Sequence, residues 1–205
     1  LFISDTSNGK VHMLDTSTGF VSTPVSIGAP LGVCVDPASS SSLYIVTTGP
    51  HAVHAYGITQ PSATAAPAAP AMPTLTWTAG DGTAAFKEGT QGVAQLQAPY
   101  GITFDLNGDI IVGGDGYYLR RITPQGRVFT FMGDGTVAHT DGIRLNAHLR
   151  ALDIAVDAAG TMFTAEYTQC LVGTITAAGT LSVLAGQTPV SCASTVGIGA
   201  AAAFK

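Results

Sequence analysis

Apolar and polar residues alternate along this chain in short runs, and the runs stop at turns marked by glycine. The clearest stretch begins at Gly101-Ile102-Thr103-Phe104-Asp105, which alternates toward Asn107-Gly108, a short-range hairpin signal. Ile110-Ile111-Val112-Gly113-Gly114 follows and turns at Asp115-Gly116. Leu119-Arg120-Arg121-Ile122-Thr123 closes at Pro124-Gln125-Gly126, and Val128-Phe129-Thr130-Phe131-Met132 ends at Gly133-Asp134-Gly135. The pattern predicts four short antiparallel strands in about 50 residues, one blade of a β-propeller. The same plan returns in Met162-Phe163-Thr164-Ala165-Glu166, Leu171-Val172-Gly173-Thr174-Ile175 and Leu181-Ser182-Val183-Leu184-Ala185-Gly186. At the start of the chain, residues 1–5, Val11-His12-Met13-Leu14 and Phe20 onward read as the second, third and fourth strands of another copy.

The copies share a motif. Pro30-Leu31-Gly32-Val33-Cys34-Val35-Asp36 recurs as Pro99-Tyr100-Gly101-Ile102-Thr103-Phe104-Asp105 and, worn, as Ala151-Leu152-Asp153-Ile154-Ala155-Val156-Asp157. Gly32 and Gly101 stand 69 residues apart, Gly101 and Asp153 52. A period of this size marks a repeat architecture. The expected fold class is all-β, a partial propeller of four-stranded antiparallel blades, with blade boundaries near 1–28 (incomplete), 29–97, 98–149 and 150–205. The longer step carries a Pro/Ala-rich stretch at 61–73, whose prolines cannot donate to a β-ladder. It reads as a solvated loop insertion, with a recognition tail as the alternative.

Composition agrees with many short strands. Hydrophobic residues make up 46% of the 205 residues and charged ones 10%, against roughly 25% in an average domain. Twenty-five glycines serve the turns. The net charge of −5 argues against a phosphate-backbone binder, and the cluster of Arg120, Arg121, Arg127, Arg144 and Arg150 is interleaved with aspartates, so no nucleic-acid partner is expected. No apolar run is long enough to span a bilayer, so no membrane contact is expected of this segment. Leu1-Phe2-Ile3-Ser4-Asp5 reads as the middle of a repeat, as in a segment of a longer protein.

The P-x-G-[IV]-x-[FV]-D motif, the N-G or A-G turn, the I-T-x-x-G turn and the closing apolar-G-x-G together resemble the NHL-repeat family of β-propellers. Each repeat also has a matching tail. Gly80-Asp81-Gly82, Glu88-Gly89 and Ala94-Gln95-Leu96 correspond to Gly133-Asp134-Gly135, Asp141-Gly142 and Ala147-His148-Leu149, and then to Gly197-Ile198-Gly199 and Ala202-Ala203-Phe204. The sequence departs from the pattern at Asp153, where the motif has glycine, and at Gly114, where Asp5 and Glu166 carry an acid. The resemblance implies about six blades, roughly 300 residues in all. The ring is therefore expected to be completed by the remainder of a longer chain or by a second copy.

Antiparallel order sends the second-to-third-strand loops and the blade-to-blade connections to one face. Loops gathered on one face of a rigid scaffold are the usual place for recognition. The candidate binding residues there are Asp115, Tyr117, His139, Asp141, Arg144, Tyr167 and Gln169. Cys170 and Cys192 reach the same face and stand either as a disulfide, implying an oxidising compartment, or as two unlinked thiols. Cys34 alternates with Val33 and Val35 and reads as a small buried hydrophobe. His51 and His54 fall on opposite faces of a strand, while His139, Asp141 and His148 share one loop but lack a zinc signature, so neither metal nor other cofactor is expected. No nucleophile and base, and no set of inward acids and histidines, recurs across the blades, so no catalytic residue is assigned. The expected function is a non-catalytic protein- or ligand-binding module of an extracellular or membrane-anchored protein, with a cytoplasmic location as the alternative. A metal-dependent lyase or hydrolase propeller, as the resemblance also allows, is the second reading, and an RNA-binding propeller, carried by Tyr117, Tyr118, Arg120 and Arg121, the third.

Overall fold

The computed structural model describes residues 1–58, 73–186 and 192–205. The Pro/Ala-rich stretch lies outside the described residues apart from Pro73. The strands form successive antiparallel meanders. The first has three strands, β1 (Phe2–Asp5), β2 (Lys10–Leu14) and β3 (Val21–Ser26). The second contains β4 (Pro30–Val35), β5 (Ser42–Thr47), β6 (Ala52–Gly57) and β7 (Thr74–Ala79). The third contains β8 (Pro99–Phe104), β9 (Ile110–Gly114), β10 (Leu119–Ile122) and β11 (Val128–Met132). A two-residue strand, β12 (Gly142–Ile143), then precedes β13 (Ala151–Val156), β14 (Met162–Glu166), β15 (Leu171–Ile175) and β16 (Thr180–Ala185), and pairs with the outer edge of β16. The architecture is that of a partial β-propeller, each meander a blade.

The hydrophobic cores lie between blades rather than within them. On β5, Leu43 and Ile45 point toward Val11 and Val25 of the first blade, while Tyr44 and Val46 point the other way, toward Ile102, Ile110 and Val112 of the third. On β9, Ile110 and Val112 face the second blade, and Ile111 faces Ile154, Met162 and Leu181 of the fourth. Successive strand residues face opposite sides of a sheet. A central blade strand covered on both sides must therefore be apolar at every position, which is why these strands read as continuous hydrophobic runs.

The motif glycine has a direct physical cause. Neighbouring inner strands β4, β8 and β13 lie side by side. A Cβ on Gly32 would sit 2.5 Å from the Tyr100 carbonyl oxygen, and one on Gly101 would sit 2.7 Å from that of Leu152. Each glycine thus admits the backbone of the next blade. Asp153 occupies the third such position, and its Oδ1 accepts the Ile154 amide at 2.9 Å. No described blade packs against the exposed side of Asp153, so there a side chain is tolerated.

The motif aspartate closes the first hairpin. Asp105 Oδ1 accepts the amides of Asn107 and Asp109 at 2.9 and 3.0 Å, and Asp157 Oδ1 accepts those of Ala159 and Thr161 at 2.8 and 2.9 Å. Both turns have three residues and end in a left-handed glycine, Gly108 or Gly160, the type I turn with a glycine bulge. Cys170 and Cys192 form a disulfide with Cα atoms 5.4 Å apart, joining residues 22 apart in sequence. Closing a loop of that length stabilises the fold by about 3 kcal/mol in the chain-entropy description. Cys34 packs against the core between the second and third blades, and burial pushes its thiol up to about 12.

Gly101→Ala is expected to lower stability in urea by about 3 kcal/mol, an overpacking cost with little room for relaxation because the obstacle is backbone. Gly28→Ala, where a Cβ meets nothing within 4 Å, should stay within about 0.5 kcal/mol of the parent protein. Equal effects of the two substitutions would rule out the close-approach explanation.

Candidate functional site

The long connections between blades are straps that lie along the outer edge of the next blade. In the first, Gly89 and Val128 exchange both backbone hydrogen bonds, and Glu88 Oε1 accepts the Thr130 amide and hydroxyl at 2.9 and 2.8 Å. In the second, β12 pairs with β16 while Asp141 Oδ1 accepts the Val183 amide at 3.1 Å. Ala94 and Leu96 of the first strap, and Ala147 and Leu149 of the second, fill the inter-blade cores. This is the physical content of the repeated tail motif. Residues 192–205 fold on the same plan, with Thr195 bridging Ala203 as Thr140 bridges His148, but their Val196 and Ile198 are exposed.

Each strap leaves its blade at a joint. Three turns between second and third strands hold a non-glycine residue in the left-handed region, His51 at φ 44°, Tyr117 at 57° and Cys170 at 51°. The carbonyl of each faces the glycine at which the strap departs, Gly80, Gly133 or Gly186, so closely that a Cβ there would collide with it. Non-glycine residues held in this region cost roughly 1–3 kcal/mol each and cluster at functional sites. His51 lies in the turn before β6, on a short loop between the second and third strands of its blade.

The structure distributes the seven candidate residues over separate places. Asp115, Tyr117 and Tyr167 gather around Arg150. The Arg150 guanidinium pairs with Asp115 across the boundary between the third and fourth blades and lies 5.7 Å from the Tyr117 ring and 5.6 Å from the Tyr167 ring. Tyr167 is 69% exposed. Gln169 is half-buried in the adjoining β14–β15 turn. His139 and Asp141 form a second cluster, in which His139 Nδ1 meets Glu166 at 2.8 Å and Nε2 meets Asp141 at 3.1 Å. Arg144 belongs to neither; it stands 5.9 Å from the Phe131 ring.

Arg150 and Glu166 were absent from the sequence-derived set. Arg150 occupies the position of Ala29 and Ala98, immediately before the motif, so its departure from the repeat was a usable signal. Glu166 ends the second strand of its blade, as Asp5, Thr47 and Gly114 do in theirs. That position has a recurring role. His12 Nε2 meets Asp5 at 3.3 Å and its Nδ1 meets Thr23 at 2.9 Å, while His54 Nε2 meets Thr47 at 3.1 Å and its Nδ1 meets Thr78 at 3.0 Å. A carboxylate–imidazole–hydroxyl chain resembles a catalytic relay, but its recurrence with threonine for aspartate marks it as a cross-strand brace. Burial holds His54 down to about 4, so its ring is neutral. In the fourth blade the histidine position is Gly173, where even a Cβ would be 3.0 Å from Glu166 Oε1, and His139 enters from the strap instead.

His148 turns away from this cluster toward Asp134, at 3.3 Å, and Thr140. Among the described residues no group of three or more His, Cys, Asp or Glu side chains is arranged to hold a metal ion.

No known family model matches the chain, and no curated protein does. Solved structures do. A Bacteroides thetaiotaomicron protein of unknown function is similar with a TM-score of 0.71 at 17% identity, over 96% of this chain and 46% of that one. An auxiliary nutrient binding protein from the same organism gives 0.69 at 12%, over 97% and 47%. Virginiamycin B lyase from Staphylococcus aureus gives 0.58 at 15%, over 93% and 53%. The likeness establishes the propeller fold, and the chain spans about half the length of each of these proteins.

The His139 clamp makes stability depend on pH. Burial works against the protonated ring, but the Glu166 and Asp141 carboxylates outweigh it and raise its pKa above the ordinary 6.5. A raised histidine pKa adds stability that is fully present below the unfolded value and is lost as pH rises through the folded value. His139→Gln should therefore cost about 2 kcal/mol in mildly acidic urea titrations and progressively less as the pH is raised past neutrality. A cost independent of pH would contradict the assignment.

Proposed function

We propose that this chain is a non-catalytic binding module, a segment of an NHL-type propeller with blades at 1–28, 29–97, 98–149 and 150–205, acting outside the cytoplasm. The observation that carries the reading is the Tyr117–Arg150–Tyr167 arrangement. Two phenol rings flank a guanidinium whose charge Asp115 already offsets, and strained joint turns display them on one side of the scaffold. Such a surface offers aromatic faces and a fixed polar edge, features enriched where proteins recognise partners. It holds no adjacent nucleophile–base pair among the described residues. The similarity to a propeller named as a nutrient-binding protein supports a small-ligand role, and the Cys170–Cys192 bridge supports an oxidising compartment.

A protein partner suits the ends of the arc. Leu1, Ile3, Phe20 and Val21 are exposed on the first blade, Leu184 on the outer strand of the last, and Val196 and Ile198 beyond it. Exposed apolar surface of this kind seeks cover. A second copy or further blades of a longer chain would supply it.

The test is a thermal-shift screen of soluble sugars, amino acids and nucleosides against the parent protein and a Tyr117→Ala/Tyr167→Ala double variant, with each hit recovered and weighed afterward. The expected hit raises Tm by about 5–10 °C at a hundredfold excess over Kd. It should be lost in the double variant and returned chemically intact. A hit that is converted to product would replace the binding reading with an enzymatic one.

A further inference from the structure

A cleft of about 410 Å³ opens between the two straps, within the roughly 300–1,000 Å³ range of small-molecule sites. It uses none of the residues of the Tyr117–Arg150–Tyr167 face and is a separate site. Its apolar wall is fixed in place. Phe86 stacks on Tyr118 with ring centroids 4.0 Å apart, and the Arg120 guanidinium lies 4.3 Å from the same Phe86 centroid. Two groups that close to one ring must occupy its opposite faces. Arg120 is itself tied to the carbonyls of Lys87, Gln95 and Phe129. Tyr118 donates its hydroxyl proton to the Asp134 carbonyl at 2.9 Å, and Phe131 completes the wall with only 5% of its surface exposed.

The charges around the cleft are not equivalent. Glu88 Oε1 accepts two hydrogen bonds from Thr130, which hold its carboxyl below the usual range. Asp134 Oδ1 accepts the Thr136 amide at 2.8 Å, and its Oδ2 faces His148. Glu88 thus has one oxygen, and Asp134 both, engaged by protein groups. Arg144 has no carboxylate at ion-pair distance among the described residues. Its backbone, at φ 50°, makes three hydrogen bonds: its carbonyl accepts the Gly133 and Ala147 amides at 3.2 and 3.1 Å, and its own amide donates to the Gly179 carbonyl at 3.0 Å. An exposed guanidinium with no ion-pair partner among the described residues, standing at the mouth of an aromatic cleft, offers its N–H donors to a planar carboxylate.

We propose that this cleft binds a small aromatic carboxylic acid, its ring against the Phe86–Tyr118–Phe131 wall and its carboxylate on Arg144. Three probes of one shape and different charge test the idea: benzoate, benzamide and benzylamine, each titrated at millimolar concentration into isotope-labelled protein and followed by amide chemical shifts. Benzoate should shift Tyr118, Thr130, Gly133 and Arg144 and bind about tenfold more tightly than benzamide, with benzylamine weaker still. Arg144→Gln should bring benzoate to the level of benzamide while leaving benzamide unchanged, whereas Phe86→Ala should weaken both. The proposal is overturned if benzylamine or benzamide matches benzoate in the parent protein, or if benzoate moves none of these amides. The probe comparison within the parent protein decides the matter even if a variant does not fold.

Discussion

Backbone-to-backbone approach between inner strands is the constraint on which the rest of this structure depends. At Gly32 and Gly101 the next blade comes so near that no side chain fits. That approach sets the angle and spacing of the blades, and with them the thickness of the inter-blade cores. Cores between sheets require central strands apolar on both faces, as in Leu43–Val46 and Ile110–Val112. They also leave the outer edge of each blade to be closed by something else. In the third and fourth blades the straps do this, inserting Ala94 and Leu96 or Ala147 and Leu149 into the same cores and adding a backbone pair at the rim.

This division of labour places variation where recognition can use it. The three-residue turns at Asp105 and Asp157 are near copies of one another, satisfied by their own aspartates. The joints on the other side share a backbone plan but differ in every side chain, His51 in one blade, Tyr117 in the next and Cys170 in the last. One joint is reinforced covalently, one contributes a ring to the Arg150 platform, and the strap that departs at Gly133 forms the lip of a cleft. The scaffold is repetitive, and its chemistry is local to single blades.

That contrast explains what was legible in the sequence. Repetition exposes the scaffold, since Gly32 and Gly101, Asp105 and Asp157, and Leu96 and Leu149 recur because the same physical demand recurs. The reach of Cys170 to Cys192 followed from counting strands. The grouping of side chains did not follow, because it depends on contacts across blade boundaries, such as Arg150 with Asp115 or His139 with Glu166. Arg144 looked equivalent to Asp141 from its place in the strap, yet the left-handed turn at Arg144 carries it to Phe131 while Asp141 points to His139 and Val183. Departures from the repeat, as at Arg150 and Gly173, were the available signals, and they acquire meaning only beside their spatial neighbours.

The central claim is that the straps are structural members of the blades, so that the surfaces they frame are formed before any ligand arrives. Native-state amide hydrogen exchange tests this most directly. The amides of Gly89, Arg144 and His148, hydrogen-bonded to Val128, Gly179 and Thr140, should exchange only through the same large openings as those of inner strands β4, β8 and β13. Exchange of the strap amides many orders of magnitude faster than the inner strands, as for free loops, would contradict the account.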